Sequence, residues 1–518
     1  MQIPSIRRRR RLARPVALAV IGVMTAATLV GANNVTAAAS IPSAAAAQPT
    51  GGGSATPQAS DFRAAAKAAH LQAPRQTAAA GKLVPGSTSK VVPGSTGKLA
   101  PSLAPHISSQ FDGINRSQGC SICTVPDPSA ASSPSQIVEL ANRFIQVTNR
   151  TGVVQCGGGI TLNQLLRSSD KLIKPRLQYD MVNKRFSLIT MIIQPGNAIP
   201  AMYAAASRTS DACGIWNVYR ITMRGSLFPA NMQMDLPTLG QDANALLVST
   251  RNTNNGLTFT LFGLRKSILY NNTSLSFNAF STASAVAPVT TAGNPMVPSP
   301  STYFLGSLPG FGYRLYRLSN SGGSGATLTL QADISAPFTA PTRPARQPNA
   351  ISLDSSAGDI RSTPYFDGSK IWFTHVRDFG GFPTVRYGAV NIANNTAITA
   401  DAFHGNNTDD FNPSIAVGIS PAGPIVYLSW VFTDADAGQG VSLTVNQLQA
   451  GQPITTLSAS DLLYFIGSVS DNSTALYGEY SSASIDAGTS NGNCAISAQQ
   501  YFGTDGTWRT RVARMGNC

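Results

Sequence analysis

Short apolar runs recur through most of this sequence and are the feature that most restricts its fold. Each run has four to eight residues, and turn-forming residues separate it from the next. Several runs alternate apolar and polar side chains, as strands with one buried face do. The clearest runs are Arg143–Thr148, Phe186–Ile193, Ala245–Thr250, Thr258–Leu261, Ile371–Val376 and Ile425–Trp430. The pattern predicts an all-β region with few helices, one of them a short helix over Gln136–Asn142.

The length of this β-rich region narrows the architecture further. Residues 106–518 form one domain, or two tightly joined, and about 413 residues exceed a usual β-sandwich. A radial array of four-stranded sheets accommodates such a length without long exposed strand edges. At about 40–50 residues per sheet, plus insertions, we predict a β-propeller of about six to eight four-stranded blades.

The first 39 residues have the order of a secretory signal peptide. The positive block Arg7–Arg11 precedes an apolar run from Pro15 to Ala32, and the small residues Ala37–Ser40 follow. The alternative is an uncleaved anchor, because about eighteen apolar residues are just long enough to span a bilayer. Cleavage predicts a secreted protein, extracellular or at the cell surface, with no further membrane contact.

Residues 40–105 are rich in Ala, Gly, Ser, Pro and Thr, which predicts a disordered linker. We expect a stable core that starts near His106.

The linker and leader also hold most of the charge. Residues 1–105 contain 12 Lys/Arg and 1 Asp/Glu, whereas residues 106–518 contain 26 and 23, so the net charge of +14 lies mainly outside the domain. A nearly neutral domain has no broad phosphate-binding surface, and we expect no nucleic-acid partner.

The even number of cysteines favours disulfides in an exported chain. The six are Cys120, Cys123, Cys156, Cys213, Cys494 and Cys518. Fifteen pairings are possible, and Cys494 with Cys518 is the most economical because it would tie down the chain end. Alternatively, Cys120 and Cys123 could form half of a zinc site, but this needs a second pair or a nearby histidine. We therefore favour the disulfide.

Several segments, taken in order, resemble secreted bacterial β-propeller proteins that are sialidase-like in architecture and mostly of unassigned activity. They are Pro175–Asp180 with Lys184–Phe186, Trp216–Tyr219, Asp235–Gly240 and Tyr477–Ser482, followed by Asp486, Cys494, Tyr501 and Trp508–Arg511. In addition, Thr504–Trp508 resembles the aspartate box of such propellers, which is a folding turn. The resemblance implies the fold. Three positions depart from the family pattern at its ligand site and turns: Leu236 replaces the usual aromatic residue, Glu479 the usual aspartate, and Ala495-Ile496 a polar-aromatic pair.

The resemblance also indicates which residues to examine for chemistry. A sialidase needs an arginine cluster for the substrate carboxylate, a tyrosine nucleophile with a partner glutamate, and an acid/base aspartate. The β-rich region has only two glutamates, Glu139 and Glu479, and Glu479 is flanked by two tyrosines. The weak catalytic candidates are Glu479, Tyr477, Tyr480, Arg176, Arg361 and Arg386. The alternative is a structural role, in which these side chains bind backbone groups and one another.

No cofactor or metal is expected. Asp434–Gly438 resembles the start of a calcium loop, but Val445 stands where the bidentate acid would be, so an exposed turn is favoured. The sequence therefore leaves two functions open. One is an exported binding or interaction module, with carbohydrate or another surface polymer as its partner. The other is a glycoside hydrolase of sialidase type, which requires three arginines, a tyrosine and a carboxylate to meet at the propeller axis.

Overall fold

The structure, a computed structural model, describes residues 46–72 and 106–518 apart from short gaps at 121–122, 124, 194–195, 197, 254–257, 283, 292–300, 356–357, 455–461, 469 and 471–475. The predicted signal peptide and residues 40–45 and 73–105 of the predicted linker lie outside the described residues. Among the helices that are described, none is long and apolar enough to cross a membrane.

The described chain begins with elements that precede the first complete sheet. They are β1 (Gly51–Ala55), β2 (Pro57–Asp61), α1 (Phe62–Gln72), β3 (Ile107–Asn115) and α2 (Arg116–Gly119). Three antiparallel four-stranded blades follow. Blade 1 consists of β4 (Ser129–Ser132), β5 (Gln136–Ala141), β6 (Phe144–Asn149) and β7 (Ile160–Thr161), and α3 (Leu162–Leu166) comes after it. Blade 2 consists of β8 (Leu172–Asp180), β9 (Arg185–Ile192), β10 (Ala201–Ser207) and β11 (Ile215–Gly225). Blade 3 consists of β12 (Gln233–Gln241), β13 (Ala245–Thr253), β14 (Thr258–Arg265) and, after α4 (Lys266–Asn271), β15 (Leu275–Thr282).

Four more blades complete the series. Two short strands come first, β16 (Ala287–Pro288) and β17 (Thr290–Thr291). Blade 4 consists of β16, β18 (Ser301–Leu308), β19 (Gly312–Ser319) and β20 (Thr327–Ser335). Blade 5 consists of β21 (Tyr365–Phe366), β22 (Lys370–Phe379), β23 (Phe382–Asn391) and β24 (Thr396–Ala402), with β17 parallel to β21. Blade 6 consists of β25 (Asp409–Ser420), β26 (Gly423–Asp434), β27 (Gln439–Leu448) and β28 (Leu462–Gly467). Blade 7 consists of β29 (Ser482–Ile485), β30 (Cys494–Phe502), β31 (Trp508–Gly516) and β3, with a 3₁₀ turn at Ser490–Gly492.

The first strand of each blade lies innermost, and these strands form a closed ring. Along the chain, β4 contacts β8, β8 contacts β12, and β12 contacts β16 and β17. The ring continues because β17 pairs with β21, β21 contacts β25, β25 contacts β29, and β29 returns to β4. Four-stranded sheets arranged radially in this way define a β-propeller. The predicted all-β propeller is confirmed, with seven blades in the described residues.

The ring closes by pairing the two ends of the domain. The outermost strand of blade 7 is β3, which precedes every other blade strand in sequence and pairs antiparallel with β31. Residues Tyr501–Arg511 contribute to this closing blade, and Trp508 is only 2% exposed. The indole Nε1 of Trp508 donates a hydrogen bond to the Cys123 carbonyl at 2.9 Å. The predicted Cys494–Cys518 disulfide is present and holds the chain end against blade 7.

A segment that precedes the propeller wraps around the outer edges of four blades. We call residues 46–72 the strap. Ala47 forms a bridge with Leu328 of blade 4, and β1 lies between β15 of blade 3 and β11 of blade 2. The strap then continues as β2 beside β11, and α1 packs against blade 1. By pairing with two outermost strands at once, β1 covers edges that would otherwise expose unpaired backbone groups.

The strap corrects two expectations. Residues 46–72 belong to the predicted disordered linker, yet they form strands and a helix, and Phe62 is fully buried. The compact unit therefore starts well before His106. Gly52 shows why a glycine-rich stretch suits this place: a Cβ there would lie 2.2 Å from the Phe277 carbonyl oxygen, so only glycine fits between the flanking strands.

The short helix predicted over Gln136–Asn142 is also wrong, because Gln136–Ala141 forms the central strand β5. Its side chains are buried on both faces, so the run has no polar alternation that would identify a strand. The run also contains the buried Glu139, and a short run without a clear period does not distinguish a buried strand from one or two helical turns.

Replacing Trp508 tests whether the closing blade supports the whole propeller. We expect Trp508→Ala to lower the free energy of unfolding by roughly 3–5 kcal/mol, because a fully packed indole is lost from between two blades. Thermal unfolding followed by circular dichroism should show a single transition at lower temperature. Phe379→Ala is the control, since Phe379 is 49% exposed and should change little. A transition for Trp508→Ala that coincides with the wild type would mean that blade 7 does not support the ring.

Phe62 provides the corresponding test for the strap. Phe62→Ala should lower the melting temperature of the propeller, because it removes the largest buried side chain of α1. Lys67→Ala, an exposed position on the same helix, should leave the melting temperature unchanged. If both variants melted like the wild type, the strap would be an appendage that the propeller does not need.

Candidate functional site

One end of the ring contains most of the polar residues singled out from the sequence. Strands alternate in direction within each antiparallel blade, and every innermost strand enters the ring from the same end. We call this end the entry face. Lys174 and Arg176 lie near the start of β8, Asp235 near the start of β12, and Glu479 just before β29. The entry face therefore brings together side chains from blades that are far apart in sequence.

Ion pairs link three blades across the entry face. The Lys174 ammonium pairs with the Glu479 carboxylate and lies 2.5 Å from an Asp235 carboxylate oxygen. Asp235 in turn accepts a hydrogen bond from Arg251 at 3.0 Å, and Asp127 accepts one from the Glu479 backbone amide at 2.7 Å. Burial raises the pKa of Glu479, although Lys174 opposes this shift. Burial also opposes ionisation of Asp235, but Lys174 and Arg251 hold its pKa below the usual value.

Arg176 and Tyr480 form a stacked pair within the same cluster. The Arg176 guanidinium lies 3.7 Å from the centre of the Tyr480 ring and donates a hydrogen bond to the Asp127 carbonyl at 2.7 Å. Both side chains are buried. Burial raises the pKa of Tyr480 well above its usual value, and its hydroxyl has no hydrogen-bond partner among the described residues. The tyrosine therefore stays protonated and has no base beside its hydroxyl.

Arg361 lies where three clefts of the entry face meet. It lines one cleft with Leu236, Arg251 and Tyr480, which has an empty volume of about 390 Å³. It lines a second cleft with Glu479 and Asn412, and a third, along the axis, with Arg176. Arg361 lies near the end of the long connection between β20 of blade 4 and β21 of blade 5, close to the axis. Arg361 therefore contributes to the walls of all three clefts.

Four N–H donors around Arg361 are buried without acceptors in the part of the chain that the structure describes. They are Nε of Arg361, Nε of Arg251, Nε of Arg176 and Nδ2 of Asn412, whose side chain is 8% exposed. Buried donors are almost always hydrogen-bonded in folded proteins. The side chains that carry these donors line the clefts, whereas the N–H groups themselves have almost no exposed surface.

Four of the six candidate catalytic residues meet at the entry face, and two do not. Glu479, Tyr480, Arg176 and Arg361 come together as described. Tyr477 instead lies in the core between blades 6 and 7, where its hydroxyl donates to the Gln500 carbonyl at 2.6 Å. Arg386 lies in the middle of β23 and pairs with Asp401, its neighbour on β24, at 3.2 Å. The placement of Tyr477 and Arg386 therefore corrects the sequence-based set.

A repeated backbone feature at the entry face was missed in the sequence. Asp127, Lys174, Leu236 and Asn412 all have positive φ angles, of 48°, 50°, 45° and 47°, and each precedes a proline. The last three lie in bulges of β8, β12 and β25, where the ladder skips the dipeptide. Positive φ is unfavourable for residues other than glycine, and a following proline restricts the backbone further. The four X-Pro dipeptides are the signal that could have identified these positions.

His375 lines the cleft shared by Asn412 and Arg361 but belongs to the core of blade 5. Its Nδ1 lies 2.9 Å from the Val376 carbonyl, which can only accept, so Nδ1 carries the hydrogen and Nε2 accepts from the Tyr313 hydroxyl. Burial lowers the pKa of His375 to about 4. The imidazole is therefore neutral at physiological pH and held in one tautomer.

The metal-binding alternatives find no support in the described residues. The described residues contain one group of three potential metal ligands, which is Asp486, Cys494 and Cys518. The two cysteines of this group form a disulfide with each other. Cys120 pairs with Cys123, which uses the two thiols of the possible zinc half-site, and Cys156 pairs with Cys213. In the possible calcium loop, Asp434 accepts a hydrogen bond from the Ala437 amide, as in an exposed turn.

Comparisons with known proteins give structural similarity at low identity. No protein-family model and no curated protein sequence matches the chain. Trypanosoma rangeli sialidase in complex with sialic acid is 12% identical with a TM-score of 0.36, covering 76% of this chain and 60% of that one. A mutant apocarotenoid oxygenase from Synechocystis is 10% identical with a TM-score of 0.37, covering 68% and 72%. A neuraminidase-like protein of a little yellow-shouldered bat isolate is 8% identical with a TM-score of 0.35, covering 66% and 98%.

The chain spans little more than half, 56%, of the first of the trypanosomal sialidases that it resembles. The propeller assignment rests on the sheet topology, and the site residues are assigned from the geometry of this chain.

Lys174 is the cation on which the charge balance of the entry face depends. We expect Lys174→Met to lower the free energy of unfolding by about 1–3 kcal/mol, because the partly buried Glu479 and Asp235 lose a counter-charge. Adding Glu479→Gln should recover part of this loss, since the unpaired carboxylate is then neutral. Urea unfolding of the wild type, both single variants and the double variant measures the coupling. If the two substitutions changed the free energy of unfolding additively, the Lys174–Glu479 ion pair would not contribute to stability.

Proposed function

We propose that the propeller is a binding module that acts outside the cytoplasmic membrane and holds a carbohydrate at its entry face. The observation that carries this proposal is that four buried N–H donors without acceptors belong to residues that line the clefts around Arg361. Hydroxyl and ring oxygens of a saccharide are suitable acceptors. The same clefts contain apolar groups, including Leu236 and Phe259, that can contact the C–H face of a sugar ring.

Charge favours a neutral or weakly charged ligand. At the entry face Lys174 is matched by Glu479 and Asp235, and Arg251 is matched by Asp235. The region from His106 onward has a net charge of only +3, from 26 Lys/Arg and 23 Asp/Glu. A polyanion would find no continuous positive surface there, so we propose no nucleic-acid partner.

The proposed location outside the cell has two supports. The leader has the order of a signal peptide, and all six cysteines form disulfides. Disulfides form and persist in oxidising compartments and are rare in the cytosol. Three of them in a domain of this size are compatible with an extracellular or cell-surface protein.

The second candidate is a glycoside hydrolase of sialidase type. It is favoured by the convergence of Arg176, Arg361, Tyr480 and Glu479. The geometry around Tyr480 opposes it, because a tyrosine nucleophile needs a base at its hydroxyl. Glu479 is instead paired with Lys174, and burial raises the pKa of Tyr480. We therefore place binding ahead of hydrolysis.

A glycan array tests the proposal. We expect the purified domain, residues 46–518, to bind a subset of saccharides on an array of neutral, N-acetylated and uronic-acid glycans. Arg361→Ala should reduce the bound signal by about tenfold, as expected when a ligand loses a charge-assisted hydrogen bond. Arg317→Ala is the control, because Arg317 is exposed on β19. A blank array together with blank pull-downs from a cell-wall fraction would contradict carbohydrate or surface-polymer binding.

The same protein distinguishes the hydrolase. A fluorogenic sialoside should show no turnover above the buffer rate. If the wild type did turn over the sialoside and Tyr480→Phe abolished this activity, the proposed binding function would be rejected in favour of the hydrolase.

A further inference from the structure

The four positive-φ residues before prolines have one feature in common besides their backbone. Each presents its side chain to the polar cluster of the entry face. Asp127 accepts the amide of Glu479, and Lys174 pairs with the carboxylate of Glu479. Leu236 lines the cleft of Arg361 and Tyr480, and Asn412 lines the cleft of Arg361 and Glu479. Asp127 lies just before blade 1, and the other three lie in blades 2, 3 and 6, so the same backbone feature recurs around the axis.

Positive φ carries a steric penalty for residues other than glycine, and glycine at these four positions would avoid it. Glycine adopts positive φ without a steric penalty, whereas Leu236 is a branched residue for which φ of 45° is a clear outlier. Before blade 7 the chain uses glycine for a positive φ: Gly478, which directly precedes Glu479, has a φ of 122°. Strained residues of this kind persist where the surroundings fix them, and they cluster at functional sites. The retained side chains therefore need a reason other than the bulge itself.

We infer that Leu236 and Asn412 are the residues that select the ligand at the entry face, because both line its clefts. Asp127 and Lys174 already have partners in the protein and hold Glu479 and Asp235 in place. Together Leu236 and Asn412 offer an apolar branch and an amide. This combination suits a polyhydroxylated ligand with apolar C–H faces, which is the chemistry of a saccharide. The Nδ2 group of Asn412, buried and without an acceptor among the described residues, is an independent sign of a missing polar partner.

This inference rests on the proposed carbohydrate-binding function and adds the positions that decide which saccharide is bound. Substitution by glycine separates the two roles that such a residue can have. Glycine keeps the positive φ and hence the bulge, and it removes only the side chain. Binding and stability should therefore respond differently if the side chain is retained for the ligand.

The variants are Leu236→Gly and Asn412→Gly, tested on the same array of neutral, N-acetylated and uronic-acid glycans and by thermal unfolding. We expect array signals at least about tenfold weaker than those of the wild type, as expected for the loss of a directional or packed ligand contact. We also expect a melting temperature no lower than that of the wild type, because the backbone strain is relieved.

Lys184→Gly and Asn395→Gly are the matched controls. Both residues have positive φ, of 55° and 54°, but they lie in hairpin turns at the opposite end of their blades. They should keep the array pattern of the wild type.

Three results would overturn the inference. Unchanged array patterns for both entry-face variants, with a binding wild type, would refute these positions while leaving the binding module intact. Weaker binding together with a lower melting temperature would assign the side chains to folding. A wild type that binds no saccharide on the array would overturn the proposed function and this inference with it.

Discussion

The pairing of β3 with β31 is the interaction on which the rest of the structure depends. Several inner strands are short, with only two residues in β21 and four in β4 and β29, so a single blade has little to hold it in place. Each blade is stable because it packs between two others, and this condition holds everywhere only if the ring is closed. Glu139 on blade 1 strengthens the closure by accepting a hydrogen bond from the Ile114 amide of β3. Burial raises the pKa of Glu139 to about 7.

Closure also creates the candidate site. Lys174, Asp235 and Asn412 lie in blades 2, 3 and 6. Arg361 and Glu479 lie in the connections that lead into blades 5 and 7. Their side chains meet only because every inner strand enters the ring from one end. An open or misregistered ring would separate these charges and leave carboxylates without cations. The stability of the ring and the geometry of the entry face are therefore coupled through the same inner strands.

The entry face combines satisfied charges with unsatisfied donors, and this combination supports the proposed binding function over the proposed hydrolase. A catalytic tyrosine and its base would hydrogen-bond to one another, whereas Tyr480 packs against Arg176 and Glu479 pairs with Lys174. The N–H groups without acceptors are buried, and they belong to side chains that line the clefts. Strain in the backbone at Leu236 and Asn412 is concentrated at the same place.

The sequence by itself determined those features that depend on local chemistry. Alternating apolar runs predicted the strands, and length limited the number of blades to about six to eight. The economy of tying down the chain end predicted the Cys494–Cys518 disulfide. Composition failed at the strap, because Gly51–Ala55 has almost no side-chain signal and its order comes from hydrogen bonds to β11 and β15, which exist only in the fold.

The candidate site was predictable only in part, because residue type is local information whereas the contacts between side chains are not. Residue type identified Arg176, Arg361, Glu479 and Tyr480, but it also selected Tyr477 and Arg386, whose side chains point elsewhere. Which side chains meet is decided by strand register and ring closure, since a shift of one residue turns a side chain to the other face of its sheet. The X-Pro dipeptides were visible in the sequence, but their positive φ and their common orientation follow from the bulges that the tertiary structure imposes.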